Sequence, residues 1–170
     1  MLDVIRKRRS IRSFTGDVVE EDKLREILKA AMFAPTSRGK RAWEFIVVKD
    51  AEMRKRLSEA NFYCFFVANA PVAVVVCYHS GKGRRFKEDS SICAEHIHLE
   101  AVNQGLGSCY VQVADTEGPH GVTEDYVRSL LEIPPVYRIQ CILPIGYPGE
   151  RLAPHLDGEF DESKIHYERF

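Results

Sequence analysis

With 170 residues, 45% of them hydrophobic and 29% charged, the chain has the length and composition of one globular domain with a substantial core, spanning residues 1–170. A formal net charge of -1 excludes the strongly basic footprint of a nucleic-acid-binding domain. The longest apolar stretch, Ala70 to Tyr78, is far too short for a transmembrane helix, and Met1-Leu2-Asp3-Val4 lacks the basic start and apolar run of a secretory signal.

Five cysteines, Cys64, Cys77, Cys93, Cys109 and Cys141, are scattered, odd in number and mostly set in apolar runs without a C-x-x-C pair. That usage fits reduced, buried thiols and a cytoplasmic location, and it argues against a structural zinc site.

In chain order, Leu2 to Lys7 reads as a short helix with Leu2, Val4 and Ile5 inward, and Gly16-Asp17 turns the chain after an arginine-rich stretch. From Glu20 to Met32, Leu24, Ile27, Leu28 and Ala31 recur at helical spacing, acids crowd the first turn, and Pro35 ends the helix. Thr36 to Ala42 is a polar, basic loop, and Trp43 to Val48 has the composition of a strand. Asp50 caps a helix expected to run to about Asn61, and Phe62, Tyr63, Phe65, Phe66 and Val67 follow as an aromatic patch expected in core or interface. Val72 to Tyr78 is a near-continuous apolar run, the mark of a central strand covered on both faces.

Gly81-Lys82-Gly83-Arg84-Arg85 lacks the spacing of a P-loop and reads as a solvated surface loop. Asp89 to Gln104 reads as a buried helix with Ile92, Cys93, Ile97, Ala101 and Val102 inward, stopped by Gly105. His96 and His98, two apart, fall on different faces, so no metal is expected there. A strand over Ser108 to Val113, a loop over Ala114 to Gly121, a helix from an N-cap at Thr123 through Leu131, and a strand over Tyr137 to Ile145 complete the order. The tail from Gly149 is irregular but ends in Ile165, Tyr167 and Phe170, as a segment that docks on a partner subunit would. An order that is neither strict βαβ repetition nor all-β points to an α+β fold, a sheet packed between helices. No G-x-G-x-x-G follows a strand, so a resident dinucleotide of Rossmann type is not supported.

The stretch Arg8-Arg9-Ser10-Ile11-Arg12-Ser13-Phe14 carries the chemistry. Extended, it sends Arg8, Ser10 and Arg12 to one face and Arg9, Ile11 and Ser13 to the other. Two guanidiniums with a hydroxyl between them suit an elongated, anionic ligand such as a nucleotide-like cofactor.

The R-R-S-I-R-S-F stretch, Ala34-Pro35-Thr36-Ser37-Arg38, Trp43-Glu44-Phe45-Ile46-Val47-Val48, Gly105-Leu106-Gly107-Ser108-Cys109 and Leu143-Pro144-Ile145-Gly146-Tyr147-Pro148 together resemble, in order and spacing, the nitroreductase family of FMN-dependent oxidoreductases. The resemblance implies a nitroreductase-like fold with a mostly antiparallel central sheet, and an intertwined homodimer with exchanged C-terminal tails. It implies FMN as cofactor, NADH or NADPH as transient donor, and ping-pong delivery of hydride to a nitroaromatic, quinone or enone. Non-catalytic flavin storage or sensing, or flavin fragmentation or dehalogenation, are the alternatives. Carried over by position, Arg8 and Ser10 correspond to phosphate and ribityl contacts, Arg9 lies alongside the same cofactor-binding stretch, and Arg12 corresponds to the cation beside the flavin pyrimidine. Pro35, Thr36, Ser37 and Arg38 correspond to a loop from the second subunit, and Tyr110, Val111 and Gln112 to backbone along the ring. Two departures stand out: Gly39-Lys40-Arg41-Ala42 lacks the amides common before the tryptophan, and only Lys164 offers itself as a C-terminal phosphate contact.

Overall fold

A computed structural model describes residues 1–170. The apolar run forms β2 (Val72–His79), which pairs antiparallel with β1 (Trp43–Val48) on one side and β7 (Tyr137–Gly146) on the other. Beyond β7 lie two short pieces, β3 (Gly107–Ser108) and β4 (Val111–Gln112), both antiparallel to it. No polar residue interrupts Val72 to Tyr78, all of them buried, because both faces of the sheet are covered.

Alternation along β2 divides the core. Val72, Val74, Val76 and Tyr78 face α2 (Glu21–Met32) and α4 (Phe86–Asn103), meeting Leu24, Ile27, Cys93, Ile97 and Ala101. Ala73, Val75 and Cys77 face the opposite layer with Leu57 of α3 (Ala51–Leu57) and Val127 of α5 (Thr123–Leu130). The expected α+β sheet between helices is therefore present, and Ile27, Leu57 and Ile97, fully buried, each contribute about 1.5–3 kcal/mol by leaving water. All five cysteines are buried and free. No helix is long and apolar enough to cross a membrane.

Several boundaries differ from the sequence reading. The first helix, α1 (Asp3–Lys7), buries nothing: Leu2 is 67% and Ile5 42% exposed, so a five-residue helix at the rim has no core to face. Asp50 does cap α3, accepting from Met53 N at 2.8 Å, but the helix stops at Leu57 rather than near Asn61. There Cys64 Sγ accepts from Asn61 N at 3.2 Å and lies 3.2 Å from Ser58 O and 3.3 Å from Asn61 O, one of which can take its single S–H proton, so the thiol closes the turn that follows the helix. Helix α4 starts at Phe86, three residues before Asp89, and Ile92 is 40% exposed, on the helix side away from the sheet. Thr123 is the first residue of α5 rather than its cap, which is Val122. The loop after Ala114 contains a small hairpin, β5 (Glu117–Gly118) with β6 (Gly121–Val122).

The expected strand over Ser108 to Val113 is broken in the middle. Ser108 lies opposite Ile145 and Val111 opposite Ile142, so Cys109 faces Pro144, which brings no N–H to the ladder. The break frees the backbone of Cys109 and Tyr110 from regular pairing.

His96 and His98 do part company as the spacing requires: His96 Nδ1 lies 3.0 Å from Ala30 O, and His98 Nδ1 lies 2.5 Å from Ser108 Oγ. Burial, reinforced by the Arg8 charge, pushes the His98 imidazole down from 6.5 to about 4. The folded protein thus holds His98 neutral, while the unfolded chain protonates it below its ordinary value. Stability supplied by this group is complete above pH about 6.5 and is lost as pH falls toward about 4, amounting to roughly 3 kcal/mol. Urea unfolding at pH 7 and pH 4.5 should show a smaller loss for His98→Gln, which cannot titrate, than for the native chain.

Candidate functional site

The arginine stretch runs along the end of the sheet beside β3. Ile11 N donates to Ser108 O at 3.0 Å, Ser10 bridges Ser108 in parallel sense, and Phe14 bridges Pro148. Ile11, 7% exposed, presses on Gly107, where an added Cβ would sit 2.6 Å from Ile11 Cγ1. Glu150 holds the turn from outside, its Oε1 accepting from Arg12 N at 2.6 Å and Ser13 N at 3.0 Å.

Extended backbone then sorts the side chains as alternation requires. Arg8, Arg12 and the Ser10 hydroxyl all favour the ionised form of the Cys109 thiol, but burial outweighs them and pushes that thiol up. Arg8 Nε lies 3.9 Å from Glu95 Oε1, too far for a hydrogen bond, so its donors stay available. Arg9 turns to the opposite face with Ile11, where its guanidinium donates to Ala153 O.

Arg12 stands at the mouth of a hollow of about 330 Å³ that it shares with Asn61, Phe62, Tyr63, Phe66, Cys109, Tyr110, Val111 and Gln112. Its guanidinium carbon lies 5.9 Å from the Phe66 ring centroid, and its Nη1 donates to Ser10 O at 3.3 Å. One wall is the strand break after Ser108; the other is the turn after α3. Asn61 Nδ2 donates to Gln112 O at 3.3 Å and joins the two walls. Gln140 Nε2 donates to Tyr110 OH at 2.8 Å from a bulge in β7, fixing the ring that backs the hollow.

The structure thus brings Arg12 together with Tyr110, Val111 and Gln112. It keeps the Pro35 to Arg38 loop elsewhere: Ser37 and Arg38 line a separate basic hollow, and Ser37 N donates to buried Asp89 Oδ1 at 2.9 Å. Thr36 Oγ1 accepts from Arg41 N at 3.0 Å, turning the loop in place of the missing amides. Lys164 is on the exposed tail, 3.5 Å from Asp161. Within one chain these groups do not meet.

Asn61, Phe62 and Tyr63 were not legible as site residues. Phe62, Tyr63 and Phe65 are 66%, 82% and 72% exposed, whereas Phe66 and Val67 are buried, so the aromatic patch is half core and half open. The one signal was its density: large rings left in water are costly unless something covers them.

The arrangement fits a flat, apolar ring bearing an anionic chain. Ring faces and the unpaired backbone of Cys109 and Tyr110 offer stacking and N–H groups, Arg12 a charge at the edge, and Arg8 with Ser10 donors for an oxyanion. A sequence model described as the nitroreductase family matches residues 5–65 and 58–147. The structure superposes on an FMN-dependent nitroreductase from Clostridium difficile R20291 with a TM-score of 0.96 at 40% identity, covering 100% of both chains. A Methanothermobacter thermautotrophicus protein provisionally named NADH dehydrogenase/NAD(P)H nitroreductase is 34% identical, over 100% of this chain and 87% of its own length. An NADH dehydrogenase of Thermus thermophilus is 44% identical over 87% of this chain and 86% of its own.

Because the arginine row rests on a bare glycine, Gly107→Ala should displace Ile11 and cost about 1–3 kcal/mol, read as a lower urea midpoint with an unchanged slope.

Proposed function

The chain belongs to the nitroreductase family, and we propose from that membership and from its site that it is an FMN-dependent NAD(P)H oxidoreductase acting on a nitroaromatic, quinone or enone acceptor. The observation that carries this reading is the aromatic-walled hollow with the Arg12 guanidinium at its mouth and the Arg8–Ser10 donors beside it.

FMN, held by these residues, would supply the redox chemistry, hydride transfer between a reduced nicotinamide and the acceptor in ping-pong order. The chain's own residues bind and polarise. Arg8 and Ser10 hold the phosphate and ribityl chain, for which a guanidinium and a hydroxyl provide charge-assisted and neutral hydrogen bonds. Arg12 would hold a fixed positive charge beside the bound ring and so favour electron uptake by it. Backbone of Tyr110, Val111 and Gln112 lines one side of the ring, and Phe62, Tyr63 and Phe66 exclude water from it. No side chain here is called upon as nucleophile or general base.

A second copy completes the site in this reading. Pro35, Thr36, Ser37 and Arg38 lie outside the Arg12 hollow of their own chain, as residues serving a partner would. The tail leaves the body in the same way: His155 N donates to Arg6 O at 2.9 Å and Arg6 pairs with Asp157 at 2.6 Å, after which Phe160, Tyr167 and Phe170 are 64%, 79% and 106% exposed. Such aromatic ends gain by burial only against another surface. Lys164, carried on that tail, is the remaining candidate for the phosphate.

The freshly purified protein should be yellow, with a flavin absorption spectrum, and should consume NADH or NADPH steadily with a quinone; a colourless protein would sink the proposal, and a yellow but idle one would make it a flavin store. Arg8→Ala should weaken FMN binding roughly 10–100-fold, the worth of one charge-assisted contact, measured by equilibrium dialysis. Arg12→Ala should instead slow reduction by the nicotinamide more than it loosens FMN; equal stopped-flow rates would remove Arg12 from its role. Deleting residues 156–170 should convert a dimer to a monomer in light scattering and release flavin.

A further inference from the structure

The loop 80–85 is exposed at every residue but Gly83, as expected of a surface loop, yet it is held against the body of the protein. It folds against the 37–40 turn around a hollow of about 1030 Å³ lined by Ser37, Arg38, Lys40, Ser80, Gly81, Lys82, Gly83, Arg84 and Arg85, without a hydrophobic or acidic residue. Five cations face one space. A sphere of that volume is about 12 Å across, longer than the screening length of about 8 Å at physiological ionic strength, so only neighbouring cations on one wall repel one another appreciably.

The neighbouring acids do not relieve this. Lys82 lies 3.8 Å from Glu44 and Arg85 3.4 Å from Glu88, both exposed pairs of little worth, and Arg38, Lys40 and Arg84 have no ion pair. The walls are built, however. Buried Asp89 accepts from Tyr78 OH at 2.9 Å through one oxygen and from Ser37 N at 2.9 Å through the other, tying the 37–40 turn to the sheet. Gly83 lies directly on the Tyr78 hydroxyl, where a Cβ would collide, and Gly81 N and Lys82 N donate to His79 Nδ1 at 3.1 Å and His79 O at 3.0 Å. Both cationic segments are thus pinned to the β2–α4 corner. Arg38 is held at φ 56, in the left-handed region unfavourable for a long side chain, which the anchored turn imposes.

We propose that this hollow receives the phosphate groups of the reduced dinucleotide and reads the 2′-phosphate, making NADPH the preferred donor. The inference rests on the oxidoreductase reading above. In that reading the Ser37–Arg38 wall serves the partner's flavin, so a nicotinamide stacked there would leave its phosphates beside Lys40, Lys82 and Arg84. Lys40 and Arg84, which have no ion pair, and Lys82, whose exposed pair with Glu44 is weak, match the charge of a 2′-phosphomonoester together with a pyrophosphate better than the pyrophosphate of NADH alone.

The test uses the purified holoprotein and two small probes, 2′,5′-ADP and 5′-AMP, titrated calorimetrically. The native chain should bind 2′,5′-ADP roughly tenfold or more tightly than 5′-AMP, with an affinity that falls as salt rises. The double variant Lys82→Gln/Arg84→Gln, changed only at exposed side chains, should lose that preference, and its KM for NADPH should rise about tenfold while the KM for NADH moves far less. Equal binding of the two probes to the native chain, or indifference of 2′,5′-ADP to the double substitution, would overturn the proposal. A colourless protein that oxidises neither dinucleotide would sink the oxidoreductase reading instead, leaving the comparison of the two probes to judge the hollow by itself.

Discussion

The placement of two guanidiniums depends on a contact that involves neither: Ile11 seated on Gly107. A side chain at position 107 would meet Ile11 and push residues 8 to 12 away from the sheet end, against which they lie extended. The hydrogen bond from Ile11 N to Ser108 O sets the register, and the neutral His98 behind Ser108 fills the interior side of the same strand. Once the backbone is straight and in register, alternation alone sends Arg8, Ser10 and Arg12 to one side and Arg9 to the other. Precision at the site is therefore inherited from apolar packing, a cheaper source of rigidity than a network of charges.

A second organising group sits at the other end of β2. Asp89 is buried, accepts from both Tyr78 OH and Ser37 N, and so fixes a loop that carries much of the local positive charge. Glu124 offers the instructive contrast. It too is buried, and it accepts from Arg128 at 2.8 Å, Arg138 Nε at 3.0 Å and Ile139 N at 3.0 Å, so every demand is met within the fold. One carboxylate is consumed in joining α5 to β7; the other is spent on holding cations that remain unsatisfied. That difference separates a structural ion cluster from a surface with something left to bind.

Both hollows form where regular structure is interrupted. Pro144 breaks the ladder opposite Cys109, Cys64 closes the turn where α3 ends, and the β2–α4 corner is drawn in at Gly83. Interruptions expose backbone N–H groups and loop side chains, which is why sites gather there while the strand centres remain sealed.

The amino-acid sequence by itself determined the sheet between helices, because burial on both faces leaves an unbroken apolar run at Val72 to Tyr78 and burial on one leaves helical spacing from Leu24 to Ala31. It determined the facing of Arg8, Ser10 and Arg12 for the same reason, periodicity being a local property of the backbone. Only tertiary structure decided that Asn61, Phe62 and Tyr63 stand across from Arg12, and that Arg84 and Arg38, 46 positions apart in the chain, share one basin. Those neighbours come from different loops, and a loop's position follows from where packed elements end and which buried group ties it down, information that no repeat within the loop carries.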